Sequence, residues 1–190
     1  MKNVNKKLLV VTIVALILAL SCVVGTFAYL TRVTDPVVNT FVSGDIKLSL
    51  EESDSDGDSD NMNNSYAMIP GQTITKDPVV TVGEGSEDCY VYVKIEESAD
   101  FDKTNVFAYA VADGWTLLEG TTNIYSREYT GGAEVDYAVI KDNKITISED
   151  ASSTDMENAN DATLTITAYA VQKAAGANAK AAWDAAAFGA

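Results

Sequence analysis

The chain has 190 residues, with 13 Lys and Arg against 28 Asp and Glu, a net charge of −15, and no histidine. Nucleic acid and anionic membrane surfaces repel so acidic a chain, which argues against both as partners. Without imidazole there is no Ser-His-Asp or Cys-His arrangement and no H-E-x-x-H zinc helix, and nothing selects two of the 28 carboxylates as an acid–base pair, so the expectation is no enzyme and no cofactor.

Lys2, Lys6 and Lys7 precede an uncharged run from Leu8 to Leu30. Thr26-Phe27-Ala28 puts small residues at the −3 and −1 positions that a signal peptidase reads. Residues 1–28 are therefore expected to be a signal peptide, cleaved between Ala28 and Tyr29. A retained transmembrane anchor is the rival, since about 20 apolar residues span a bilayer, but Gly25 and the small residues at the end of the run favour cleavage. Ala19-Leu20-Ser21 before Cys22 fits a lipobox poorly. The protein is thus expected to be secreted, to the extracellular matrix or cell surface, with no membrane attachment after cleavage. Removing the three signal lysines leaves ten basic side chains against 28 acidic, a net of −18. Residues 29–190 suffice for one domain that buries about 70% of its unfolded-chain surface.

Residues 29–44 lead into a domain spanning 45–190. Asp45 to Leu50 alternates, with Ile46, Leu48 and Leu50 on one face, and reads as a half-buried strand. Glu51 to Asn64, EESDSDGDSDNMNN, loses every β-branched residue and reads as a solvated acidic loop. Pro70-Gly71 is a turn, and Pro78 to Val82 a short strand with Pro at its entrance. Cys89 to Glu96 is the clearest strand, with Cys89, Val91, Val93 and Ile95 facing the core and Tyr90, Tyr92, Lys94 and Glu96 opposite. Val106–Val111, Trp115–Leu118, Ile124–Tyr129, Val135–Ile140, Lys144–Ile147 and Thr163–Gln172 follow as strands. Asp113-Gly114, Gly120, Gly131-Gly132 and Asp142-Asn143 punctuate them with turn chemistry. Only the tail reads as helical: Ala177 to Ala187, with Asn178 as N-cap, Gly189 past the end, and Trp183 as the anchor by which so short a helix must dock or fray. The order of elements indicates an all-β antiparallel sandwich with a short C-terminal helix.

Two motifs invite ligands. Asp54, Asp56, Asp58 and Asp60 alternate around Gly57 like the front half of a calcium loop, yet an EF-hand register begun at Glu52 puts Asn63 where the bidentate Glu belongs. A solvated acidic loop is the plainer reading, with weak Ca²⁺ binding as the alternative. Tyr90, Tyr92, Tyr125 and Tyr129 form either a platform for a carbohydrate or partner, or ordinary cross-strand packing on a sheet surface. Cys89, alone after cleavage, reads as a buried strand thiol, with intermolecular pairing or a reactive thiol as alternatives.

The blocks GTFAYLTRVTDPVVNTFVSGDIKLSLEE, IPGQTITKDPVVTV, CYVYVKIEE, DGWTLLEG, and ITAYAVQ with AAW resemble the TasA/camelysin family of exported Gram-positive proteins over nearly all of the mature chain. The resemblance implies processing by a dedicated signal peptidase of the SipW type, a jelly-roll-like β-sandwich, and a role as structural subunit of biofilm matrix fibres. It further implies a head-to-tail homopolymer in which Tyr29 to Phe41, through Tyr29, Leu30, Val33, Val37, Val38 and Phe41, is the strand donated to the next subunit. An unpaired sheet edge can accept such a strand, and a head-to-tail contact that does not close gives filaments. Cleavage after Ala28 then acts as the assembly switch. The acidic loop looks like an insertion relative to better-known members, and the tail after Gln172 is unusually rich in alanine. Camelysin-type members are classed as metallopeptidases, but here a zinc site would need carboxylates alone. A monomeric surface-binding module is the remaining alternative.

Overall fold

The structure is a computed structural model and describes residues 45–60, 63–102 and 106–188. The expected signal peptide with its cleavage site at Ala28 and Tyr29, and the expected donor segment including Leu30, Val33, Val37, Val38 and Phe41, lie outside the described residues. Among the described residues no helix is long and apolar enough to cross a membrane.

The fold is mostly β, in three antiparallel sheets. The first is ordered β1 (Leu48–Glu51), β3 (Val79–Val82), β8 (Val135–Ala138). The second runs β10 (Leu164–Gln172), β4 (Cys89–Glu97), β7 (Ile124–Tyr129), β6 (Thr116–Leu117). A smaller third sheet holds β2 (Thr73–Thr75), β9 (Lys144–Ile147) and β5 (Phe107–Ala108). The first two enclose one core, because strict alternation turns every second residue inward. Val80 and Val82 of β3 and Tyr137 of β8 meet Cys89, Val91, Val93 and Ile95 of β4 and Tyr129 of β7. The register Val91↔Arg127 turns Arg127 inward as well. Its guanidinium lies 3.8 Å from the Tyr137 ring centroid and 5.2 Å from that of Trp115, so the cation is housed against two aromatic faces. Burial holds its pKa below the ordinary value.

The opposite face of β4 is covered too. Helix α3 (Ala179–Ala186, following the short helices α1 and α2 below) lies over the second sheet, burying Tyr90, Tyr92, Leu118, Ile124 and Val171 with Ala182. Asn178 caps α3, accepting from the Ala181 N–H at 2.9 Å. Its end differs from expectation: the left-handed residue after the helix is Ala187, at φ 51°, and Gly189 lies outside the described residues. Gly176 explains the close seating of this alanine-rich helix. A β-carbon at Gly176 would lie 2.6 Å from the carbonyl carbon of Ala181 and closer still to the Ala182 amide, so only a residue without a side chain lets the helix backbone in.

The expectation that only the tail is helical does not hold. Ala99–Asp102 forms a single turn, α1, and Ser153–Asn158 forms α2. Helix α2 begins with a capping box in which Ser152 Oγ accepts from the Asp155 N–H at 3.2 Å while the Asp155 carboxylate accepts from the Ser152 N–H at 3.0 Å. Four expected strands are shorter than the runs that announce them: Asp45–Leu50 begins only at Leu48, and Trp115–Leu118 pairs only at Thr116 and Leu117. Val106–Val111 pairs as β5 only at Phe107 and Ala108, and Val135–Ile140 ends at Ala138, leaving Val111 and Ile140 in an isolated bridge. The turn after them follows expectation, with Asp142 and Asn143 both left-handed at φ 56° and 55°.

Candidate functional site

Strand β1 pairs only with β3, and β10 only with β4, among the described residues. Each is therefore a sheet edge with one row of backbone N–H and C=O groups left over. The C-terminal end of β1 and the N-terminal end of β10 border a cavity of about 670 Å³. Leu50 of β1 and Leu164 and Ile166 of β10 form its sides, and Ile74, Phe107 and Ile145 of the third sheet line it as well. Leu48, Leu50, Leu164, Ile166, Ala168 and Ala170 all pack against the main core but remain half-exposed. Apolar side chains left half in water beside an unpaired edge suit this groove to an extended peptide, whose backbone would satisfy one edge while alternate side chains meet Leu50, Leu164 and Ile166.

The acidic loop stands at one end of the groove. Its two ends are tied together at Lys76, whose amino group lies 2.6 Å from Glu52 Oε2, both side chains being about nine-tenths buried at 13% and 10% exposure. Tyr66 donates its hydroxyl to Glu52 Oε1 at 2.8 Å, and the Lys76 amino group sits 5.8 Å from the Tyr66 ring centroid. Burial, reinforced by that carboxylate, raises the Tyr66 hydroxyl pKa.

The loop is closed on itself, where the sequence suggests a merely solvated run. Asp54 accepts from the Gly57 and Ser59 N–H groups at 2.6 and 3.0 Å, Asp56 from Ser65 at 2.7 Å and Asp58 at 3.3 Å, and Asp58 from Asp60 at 2.7 Å. The N–H of Ser65 is the main reason that the Asp56 carboxyl lies below its usual range. Asp54, Asp56 and Asp58, all exposed, bring carboxylate oxygens within 4.8 Å of one another, and Asp60 does not join that cluster. Three such oxygens suit a hard cation in type. The same carboxylates already accept bonds from their own backbone, which accounts for the aspartates without a metal.

The tyrosines do not form a surface platform. Tyr90 is 8% exposed and Tyr92 fully buried beneath α3, with the Tyr92 hydroxyl donating to the Ala179 carbonyl at 2.7 Å. Tyr129 is in the main core, donating to the Ala133 carbonyl, and Tyr125 is half-buried beside it. Cys89 is fully buried and free, and burial pushes its thiol up to about 11. A groove between edges has no sequence motif. It follows from which strands stand at a sheet edge among the described residues, and the local signals were the apolar alternations in Asp45–Leu50 and Thr163–Gln172. Comparison with family models, with curated proteins and with solved structures finds no match.

Proposed function

We propose that the protein is a secreted structural subunit of extracellular biofilm matrix fibres, a jelly-roll-like sandwich that polymerises head to tail by donating Tyr29–Phe41 to the groove of the next copy. The observation that carries this reading is the pair of unpaired edges, β1 and β10, with half-exposed Leu50, Leu164 and Ile166 lining the cavity at their ends. Strand β10 offers nine residues of edge, long for an edge strand and ordinarily a liability for aggregation. A copy of the chain is the natural occupant because residues 29–41 lie a few residues before β1, are mostly uncharged, and carry Val33, Val37, Val38 and Phe41. In a head-to-tail contact the donor and the groove are different surfaces, so the assembly stays open and grows as a filament.

The test is the association state of the chain beginning at Tyr29. Light scattering and electron microscopy are expected to show filaments that lengthen with protein concentration, while a chain retaining residues 1–28 stays unpolymerised. A monomer at high concentration and across pH would instead favour a surface-binding module.

A further inference from the structure

The outer face of the second sheet is only partly covered by α3, and we propose that the open step beside the helix binds a neutral saccharide. Lys94, Ile124 and Tyr169 of the sheet and Trp183 and Phe188 of the tail line a cleft of about 340 Å³ there, at the small end of the range for ligand sites. Neither the unpaired strand edges nor residues 29–41 take part, so the site stands apart from the fibre reading.

Register sets out the floor. Cross-strand partners share a face, so Val171 with Tyr90 and Tyr169 with Tyr92 form two rows beneath α3. The next rows are Thr167, Lys94 and Ile124, then Thr165 and Glu96. Tyr92 is fully buried, whereas the Lys94 and Glu96 side chains are 33% and 47% exposed and both threonines reach solvent.

Trp183 and Phe188 form the wall. Ala187 leaves α3 in the left-handed conformation at φ 51°, and the Phe188 ring lies 4.8 Å from that of Tyr169 and 5.1 Å from that of Trp183, centroid to centroid. Trp183 stands edge-on to Tyr169 at 88°. Docking of α3 buries Tyr90, Tyr92 and Ala182, whereas Phe188 stays 37% exposed. A ring held by two others and left open on one side is a surface for stacking.

A pyranose matches this step in type. Its C–H face suits the negative faces of the rings, and its edge hydroxyls suit side chains that donate and accept. Lys94 and Glu96, paired at 2.7 Å, and Thr167 supply those groups on the floor. The ion pair leaves the floor without net charge, and a chain of net −15 repels a polyanion, so the saccharide is neutral. A cationic ligand would have to take Glu96 from Lys94. A peptide fits poorly, because Lys94 and Ile124 stand on β4 and β7, which are paired on both sides and offer no free backbone.

Tryptophan emission reads the site, since Trp183 lines the cleft and Trp115, the other tryptophan, is 9% exposed in the main core. Cellohexaose, laminarihexaose and maltohexaose are titrated against the chain beginning at Tyr29, beside polygalacturonate as the polyanion. At least one neutral oligosaccharide is expected to shift the emission to the blue in a saturable way and to protect it from acrylamide. Phe188→Ala is expected to weaken that binding about fivefold, and Glu96→Ala to weaken it as well, both with unchanged far-UV circular dichroism. Leu117→Ala is expected to bind as the unsubstituted chain does, because Leu117 is exposed but pairs with Tyr125 on the opposite face of the sheet. No saturable response to any of the three, a stronger response to polygalacturonate, unchanged affinity in Phe188→Ala and Glu96→Ala, or an equal loss in Leu117→Ala would each overturn the site. Emission that shifts with protein concentration alone would show a second copy in the cleft and would overturn it too.

Discussion

The Lys76 amino group lies 2.6 Å from the Glu52 carboxylate at the end of the groove, and both side chains are nearly buried. Removing one partner leaves the other as an uncompensated charge, which is more costly than never having had the pair. Lys76→Met is expected to destabilise the fold by about 3 kcal/mol in a denaturant titration. Lys76→Met with Glu52→Leu is expected to recover most of that loss, because no buried charge then remains. A single substitution without cost would contradict the clasp.

Helix α3 depends on two residues of opposite character. Trp183 packs on Tyr92 at 4.9 Å and on Tyr169 at 5.3 Å between ring centroids, and Gly176 lets the helix backbone approach. Trp183 is only half-buried, so Trp183→Ala is expected to cost about 2 kcal/mol rather than the larger loss of a fully enclosed aromatic. Gly176→Val is expected to lift α3 off the sheet, exposing Tyr90 and Tyr92 and shifting Trp183 fluorescence to the red. Wild-type emission from a folded Gly176→Val protein would contradict the close approach.

Cys89 is predicted to be silent towards thiol reagents in the native state at neutral pH, since its side chain is fully buried and its pKa is raised to about 11. Labelling is expected to follow unfolding, rising with denaturant along the same curve as the fluorescence change. Rapid stoichiometric labelling of folded protein would show that the thiol is accessible.

Two carboxyls set a pH dependence. Asp56 is held down chiefly by the Ser65 N–H, and Asp155 by the Ser152 hydroxyl and N–H of the capping box. A carboxyl whose folded pKa is depressed contributes stability that is fully present above its unfolded value and is lost as pH falls through its folded one. Both should therefore titrate below 3.8 by NMR. The contribution of each should disappear at pH values below that range, with no change between pH 5 and 7. Titration of either group at or above 3.8 would contradict these hydrogen bonds.

What was legible in the sequence was what alternation alone determines. The inward face of β4, the strand Ile124–Tyr129, the left-handed Asp142-Asn143 turn and the docking of the tail through Trp183 are local patterns or follow directly from them. Strand β2 is three residues long, too short for a period to declare itself, so the edge strand that carries Ile74 was not legible although its partner β9 was. The α2 capping box was legible in Ser152 and Asp155, but the apolar run that normally follows such a signal is missing. The outward tyrosines were placed on the right face of β4 and yet are buried, because period 2 gives a face and cannot say what covers it. The groove was least legible of all, since it depends on second partners that β1 and β10 lack among the described residues.

The most direct test of strand donation is deletion of Tyr29–Phe41 from the chain that begins at Tyr29, observed by electron microscopy beside far-UV circular dichroism. The account predicts a folded β protein that forms no fibres alone. Fibres of normal yield and morphology from the deleted chain would contradict it.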